Sequence, residues 1–298
     1  MRVRVPATSA NLGPGFDCLG VAWQSCNEID FRPGGSGLSI AGCPAAYCNE
    51  QNLAYQGYCA ALTAAGWREI PPIAIRFGRT DIPVSRGMGS SAALIAGGII
   101  AANALHGLKL SEKTQVRLAA ALEGHPDNVA PALLGGLVVS AMEAGNVHFA
   151  RCPLSPVWQF LALIPDTELE TQKARAVLPA AVPRSDAVFN IGHAALLLRA
   201  LETGDGALLR FALDDRLHQP YRLSLIPGAE AARKIALDAG ADGLCISGAG
   251  STLLVIAREA EKLNRIAREI AEEFPRWEAR KLQIAQHGAE ILPEQGEK

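Results

Sequence analysis

The chain has 298 residues, 49% of them hydrophobic and 19% charged, so it carries enough apolar material for a sizeable core and enough length for two domains. A formal net charge of -2 argues against the large basic field that nucleic-acid or anionic-membrane binding usually needs. Neither a nucleic acid nor a membrane is therefore expected as a partner, and small-molecule chemistry is the default.

The opening MRVRVPATSA lacks the apolar core of a secretory signal, and no run of about 18 apolar residues follows, so a cytoplasmic location is expected. Seven scattered cysteines without CxxC spacing read as buried or incidental thiols. Short β-like runs at Arg2 to Val5, Ile73 to Phe77 and Leu137 to Ala141 alternate with glycine-rich loops and alanine-rich helical stretches. Ala92 to Leu105 is apolar on nearly every face, which predicts a helix buried on all sides. Val138 to Ala150 reads as a hairpin turning at Ala144-Gly145-Asn146, and Trp158 to Ile164 as a new strand. A boundary near Arg151 to Pro156 divides the chain into 1–152 and 153–298.

Beyond it, Ser185 is placed to cap a helix whose apolar Val188, Ile191, Ala195, Leu198 and Leu201 would lie on a sheet, ending near Gly204. A helix over Ala229 to Ala239, strands over Gly243 to Ser247 and Thr252 to Ala257, and an amphipathic helix stopped by Pro275 complete an α+β reading in two layers. A polar tail occupies 293–298.

The segment PVSRGMGSSAA comprises Pro83, Val84, Ser85, Arg86, Gly87, Met88, Gly89, Ser90, Ser91, Ala92 and Ala93. It follows a predicted strand and opens the buried helix. Two glycines let the backbone approach an anion, and the first N–H groups of a helix have no partner within it, so the segment reads as a phosphate loop. No lysine follows the glycines, which excludes the GxxxxGK[ST] loop. The alternative is a glycine-rich turn in which Ser90 merely caps the helix. The hydroxyl of Ser90 or Ser91 can serve Mg²⁺, an oxygen-seeking ion, and Glu123 in LEGHPDNVAP is the carboxylate best placed to join it, unless it is an ordinary surface glutamate.

Three segments, PATSANLGPGFDCLG from Pro6 to Gly20, the loop from Pro83 to Ala93, and SGAGST from Ser247 to Thr252, resemble the three signature motifs of the GHMP kinases. ANLGPGFDCLG, EGHPDNVAPALLGG, TQKARAVLP and HQPYR in combination resemble the homoserine kinase branch in particular. Met88 and Ser251 depart from the usual leucine and proline of those motifs. The resemblance implies an N-terminal domain like the second domain of ribosomal protein S5, a ferredoxin-like C-terminal domain, and ATP with Mg²⁺ and L-homoserine between them. It also implies a homodimer. A mevalonate or sugar kinase of the same fold is the alternative, and a ligand sensor without turnover a more distant one.

Carried over residue by residue, the resemblance implies that Arg175 and Arg222 fork onto the substrate carboxylate, that Asp17 meets its ammonium, and that Asn11 and His125 line the same pocket. Asn128, in the motif that lines that pocket, and Thr171, a hydroxyl near the transferring phosphate one helical turn before Arg175, are the implied catalytic residues. Asp127 is open between a catalytic base and a turn residue that holds its loop. Ser91 and Glu123 become the metal ligands, and Asn52 is either an adenine-lining residue or the cap of the helix after it. The third motif is expected to support the phosphate loop.

Overall fold

In the computed structural model, which describes residues 1–293, β1 (Arg2–Ala10) runs antiparallel to the long β2 (Leu19–Pro33), from Arg2 opposite Asp30 to Ala10 opposite Gly20. β2 was not anticipated from the sequence. Leu19 to Trp23 is buried on both faces, so it lacks the alternation that marks a half-exposed strand. The 294–298 part of the polar tail lies outside the described residues.

β3 (Leu38–Ala41) lies parallel to β4 (Ile73–Thr80), with α1 (Leu53–Ala64) between them in sequence. α2 (Ser90–Leu105), α3 (Glu112–Glu123) and α4 (Pro126–Leu134) follow. The expected hairpin is present as β5 (Leu137–Glu143) and β6 (Asn146–Cys152). Ala144 and Gly145 form its turn, both with positive φ, as a primed two-residue turn demands.

The helix expected to run through the core does so. Ala92, Ala93, Ile95, Ala96, Ile99, Ala101 and Ala102 of α2 are fully buried. Its fit against α1 depends on a missing side chain, because a Cβ at Gly98 would stand 2.0 Å from the Ala54 carbonyl oxygen.

The second half supplies β7 (Gln159–Ile164), α5 (Thr171–Ala176), α6 (Arg184–Thr203), α7 (Gly206–Ala212), α8 (Gln219–Arg222) and α9 (Ala229–Asp238). β8 (Gly243–Ile246), β9 (Leu253–Ala257), α10 (Ala260–Glu273), β10 (Glu278–Leu282) and β11 (Glu290–Leu292) complete it. The order β10-β7-β9-β8, antiparallel throughout, is that of a ferredoxin-like sheet, and the α+β class is as expected. The other sheet has the order β11-β1-β2-β4-β3, with β5 and β6 branching from β2. β11 thus returns the end of the chain to the first sheet, beside β1.

Two details of α6 differ from expectation. Pro183, not Ser185, stands at the N-cap. Val188 and Ile191 are 62% and 71% exposed, while the buried face is Asn190, His193, Leu197, Ala200 and Leu201. The polar Asn190 is drawn inward because its amide donates to the Pro14 carbonyl and to Asp215 Oδ1 and accepts from Arg216 N–H, so it is satisfied when buried. Leu197 and Leu201 meet Val21 and Leu137 of the first sheet and Phe160 and Ile256 of the second around one small void. α6 therefore ties the two sheets into a shared core.

A candidate active site between the two sheets

A cleft of about 710 Å³ runs from the β3–α1 connection past the start of α2 to α5 and α8. The phosphate loop forms its floor. Gly89, with φ 71°, is the N-cap of α2 and offers no side-chain cap, so the reading of Ser90 as a mere cap does not hold. The first bond within the helix is Ala93 N–H to the Gly89 carbonyl, which leaves the N–H groups of Ser90, Ser91 and Ala92 at the open end. The N–H of Ala93 is therefore spent, and the side chains of Ala92 and Ala93 face the core.

All three signature segments converge on this loop. The Trp23 indole N–H donates to the Ser9 hydroxyl at 2.8 Å, and Ser9 and Ser247 hydroxyls are 2.6 Å apart. Ser247 Oγ also lies 2.6 Å from the Gly87 carbonyl oxygen. A carbonyl can only accept, so the Ser247 proton goes to Gly87 and the Ser9 proton to Ser247. This buried chain of donors carries the first and third motifs onto the second, fulfilling the supporting role expected of the third. Thr252 N–H to Arg86, Thr8 N–H to Met88 and Leu169 N–H to Ser85 pin three more carbonyls of the loop. The Arg86 guanidinium donates to the carbonyls of Pro165 and Asp166 and lies 3.4 Å from Glu168, so it clamps the loop rather than offering its charge freely to a phosphate. Val84 is 58% exposed at the rim near Pro83.

At the start of α2 the Ser91 hydroxyl donates to Glu123 Oε2 at 2.6 Å. Burial raises the Glu123 carboxyl above its ordinary pKa, against the lowering effects of that bond and of His125. The two oxygens form a hard donor set beside free N–H groups, which suits a cation that keeps waters and phosphate oxygens in its remaining positions.

The other end of the cleft is a cluster of opposite charges. Arg175 forks onto Asp17 with contacts of 2.6 and 3.0 Å. Asp17 in turn is fixed by its N–H bond to Asn11 Oδ1, while Asn11 Nδ2 donates to the Gly248 carbonyl at 2.7 Å. Arg222, only 1% exposed, donates through Nε to the Ala174 carbonyl and, like Arg175, lies over the Phe16 ring. Burial and the nearby Arg175 charge hold its pKa down to about 10. His125 Nδ1 meets Asp127 Oδ1 at 2.5 Å. Burial opposes the charged imidazole, but Asp127, with Glu123 and Asp17 near, outweighs it and raises the His125 pKa.

Asp17, His125 and Asp127 place one donor atom each within 4.8 Å of one another. Arg175 already balances Asp17 there, so Ser91 and Glu123 remain the better oxygen pair for Mg²⁺. Asn128 accepts from the Thr8 hydroxyl at 2.8 Å and lines the cleft with Thr171, which is exposed at the first position of α5. Asn52 caps α1 by accepting from Ala54 N–H, and its amide donates to the Tyr47 carbonyl. The capping role is thus present, with Asn52 still on the cleft wall beside Tyr47 and Gly42.

The sequence reading missed a second layer behind the arginines. His218 is fully buried, donates from Nε2 to the Gly13 carbonyl at 2.8 Å, and faces Arg222 through Nδ1 at 3.3 Å. An arginine can only donate, so Nδ1 accepts and Nε2 carries the proton to Gly13. Asp215 accepts from the His218 and Gln219 N–H groups, and Phe16 stacks on the imidazole at 5.2 Å. The HQPYR segment contained the signal, but only Arg222 was drawn from it.

Residues 52–136 match the family model of the GHMP kinases N terminal domain, and 197–276 match that of the GHMP kinases C terminal. The chain belongs to the GHMP kinase family. Within that family it is 42% identical over 294 residues, 98% of both chains, to a homoserine kinase of Clostridium botulinum (strain ATCC 19397 / Type A). A homoserine kinase of Clostridium beijerinckii is 39% identical over 292 residues, covering 97% of this chain and 98% of its own. The crystal structure of homoserine kinase from Cytophaga hutchinsonii superposes with a TM-score of 0.88 at 28% identity, over 98% of this chain and 97% of that one.

Proposed function

We propose that this GHMP kinase moves the γ-phosphate of ATP onto the side-chain hydroxyl of L-homoserine, giving O-phospho-L-homoserine on the route to threonine. The observation that carries the reading is the sharing of one cleft by an open helix start and by the cluster of Asp17, Arg175 and Arg222. A zwitterion can exchange with the Asp17–Arg175 pair, its ammonium taking Asp17 and its carboxylate taking Arg175 and Arg222. Mevalonate has a carboxylate but no ammonium, and would leave Asp17 repelling it.

The loop N–H groups bind and orient the triphosphate, and Ser91 with Glu123 would hold Mg²⁺, which supplies charge neutralisation at the phosphates when bound. Asn128 keeps amide N–H groups for an incoming oxygen while Thr8 holds its carbonyl, and Thr171 offers a hydroxyl one turn from Arg175. Phosphoryl transfer is chiefly a matter of such positioning. Asp127 is committed to His125, which favours a holding role over that of a base.

The end of the cleft at Asn52, Tyr47 and Gly42 is left for the adenine. A cytoplasmic location agrees with seven cysteines that are all free thiols, and no helix among the described residues is long and apolar enough to cross a membrane. A homodimer is proposed as the assembly, with the outward Val188 and Ile191 of α6 as its apolar contact.

An ADP-coupled assay with homoserine, mevalonate and galactose tests the reading: turnover with homoserine alone is expected. Ser91→Ala and Glu123→Ala should each lose about 10²-fold or more in kcat, as the loss of a preorganised charge-stabilising group does. Asp127→Asn should stay within about tenfold of wild type, since a lost general base costs about 10²–10⁴-fold. Turnover of another alcohol with homoserine inert would replace the substrate, and no turnover with any alcohol would make the chain a binding protein.

A further inference from the structure

Cys43 and Cys48 look unrelated in sequence, separated by Pro44 and the single 3₁₀ turn Ala45–Tyr47, yet their Sγ atoms stand 3.6 Å apart. Cys48 is exposed and Cys43 half-buried, and both are free thiols. The turn between them is part of the cleft wall, where Gly42, Cys43, Pro44 and Tyr47 line the end beside Asn52. The segment lies close against the sheet: a Cβ at Gly42 would stand 2.3 Å from the Phe77 carbonyl oxygen, and Cys43 packs on the core. The Cys48 backbone N–H is held by the Ala45 carbonyl at 3.1 Å, but its exposed side chain has, besides Cys43 Sγ, only weak sulfur contacts, 3.8 and 3.7 Å from the Cys43 and Pro44 carbonyl oxygens.

We propose that Cys43 and Cys48 form a reversible dithiol–disulfide pair at the rim of the nucleotide end of the cleft, oxidised by peroxide. The ATP consequence rests on the proposed placement of the nucleotide, whereas bridge formation does not. Burial first, and then the contact with Cys48, push the Cys43 thiol up to about 11, so Cys43 keeps its proton at neutral pH and the exposed Cys48 meets the oxidant. The Cys48 thiolate attacks one peroxide oxygen, the O–O bond breaks, and Cys48 sulfenic acid and, after protonation, one water result. Cys43 then attacks the Cys48 sulfur, the S–O bond breaks, and the Cys43 proton leaves with the hydroxide as a second water. Two thiols and one hydrogen peroxide thus give one disulfide and two waters.

Closing the sulfurs from 3.6 Å to the bonded separation of about 2 Å must be taken up mainly by Cys48, because Cys43 is packed. Tyr47, adjacent to Cys48, moves with it, and its carbonyl is the partner of the Asn52 amide. The wall of the nucleotide end is thereby displaced, while Arg175, Arg222 and Asp17 at the far end are untouched.

The test treats the reduced full-length enzyme with hydrogen peroxide, digests it after glutamate, and analyses the peptide ending at Glu50, which contains Cys43 and Cys48 but not Cys59. The expected result is a loss of two hydrogens in that peptide, reversed by dithiothreitol, with a several-fold rise in KM for ATP and an unchanged KM for homoserine. Cys48→Ser, at an exposed position outside the cleft lining, should retain the reduced enzyme's kinetics and lose both responses to peroxide. No bridged peptide in the wild type overturns the proposal. A bridged peptide with unchanged KM for ATP overturns the link to the nucleotide end, and an unchanged response in Cys48→Ser overturns the assignment to this pair.

Discussion

The Ser91–Glu123 contact sets a pH dependence whose direction follows from its parts. Burial raises the Glu123 pKa, and the Ser91 hydroxyl bond works against the rise because it stabilises the charged carboxylate. A cation needs that carboxylate ionised, so activity should fall as pH drops through the raised Glu123 pKa, at a higher pH than for a free glutamate. Ser91→Ala removes the lowering effect, and the acid limb of kcat/KM for ATP should move to still higher pH in the residual activity of that variant. A limb that stays in place, or moves to lower pH, would show that another group controls it. His125, raised by Asp127, titrates in the opposite sense: its positive charge is present below its pKa and lost above it, and that charge helps keep Glu123 ionised.

Among the elements, the phosphate loop shows how much was legible in the sequence and where legibility ended. The strand before it, the glycines and the buried helix after it are local features, and they could be read directly. That Gly87 is held by Ser247 could not, because the contact joins residues 160 apart in the chain. Similarly, periodicity in α6 pointed to Val188 and Ile191 as the inner face, since it counts apolar residues and cannot see that Asn190 finds three partners inside. Asp17 and Arg175 were assigned separate partners, and only the fold shows them paired with each other. The tightness of the loop gives a direct test. Gly87 has φ 75°, and a Cβ there would lie 2.2 Å from the Ser247 carbonyl oxygen, which is backbone and cannot swing away. Gly87→Ala should therefore lower stability by about 1–3 kcal/mol from the backbone conformation, with the clash adding to it, and raise KM for ATP in urea-melt and kinetic measurements. Wild-type stability in this variant would mean that the loop is free to rearrange.

For the whole molecule, the shared core has a consequence for assembly. α6 uses its inner face to join the sheets through Leu197 and Leu201, and β11 folds the end of the chain back onto β1, so neither sheet can separate from the other without opening the core. Val188 and Ile191 of α6, 62% and 71% exposed, and Phe211 of α7, 56% exposed, are left outside that core. A stable dimer covers roughly 800 Å² on each partner, more than these side chains alone supply, so they would form the apolar centre of a larger contact. Ile191→Glu puts a charge at that centre, where its desolvation would have no compensating partner. Light scattering should then report the mass of two chains for the wild type and of one for Ile191→Glu. The variant should keep its fold and its kcat per chain, because Ile191 is exposed and does not line the cleft. A monomeric wild type, or a dimeric Ile191→Glu, would remove α6 as the contact.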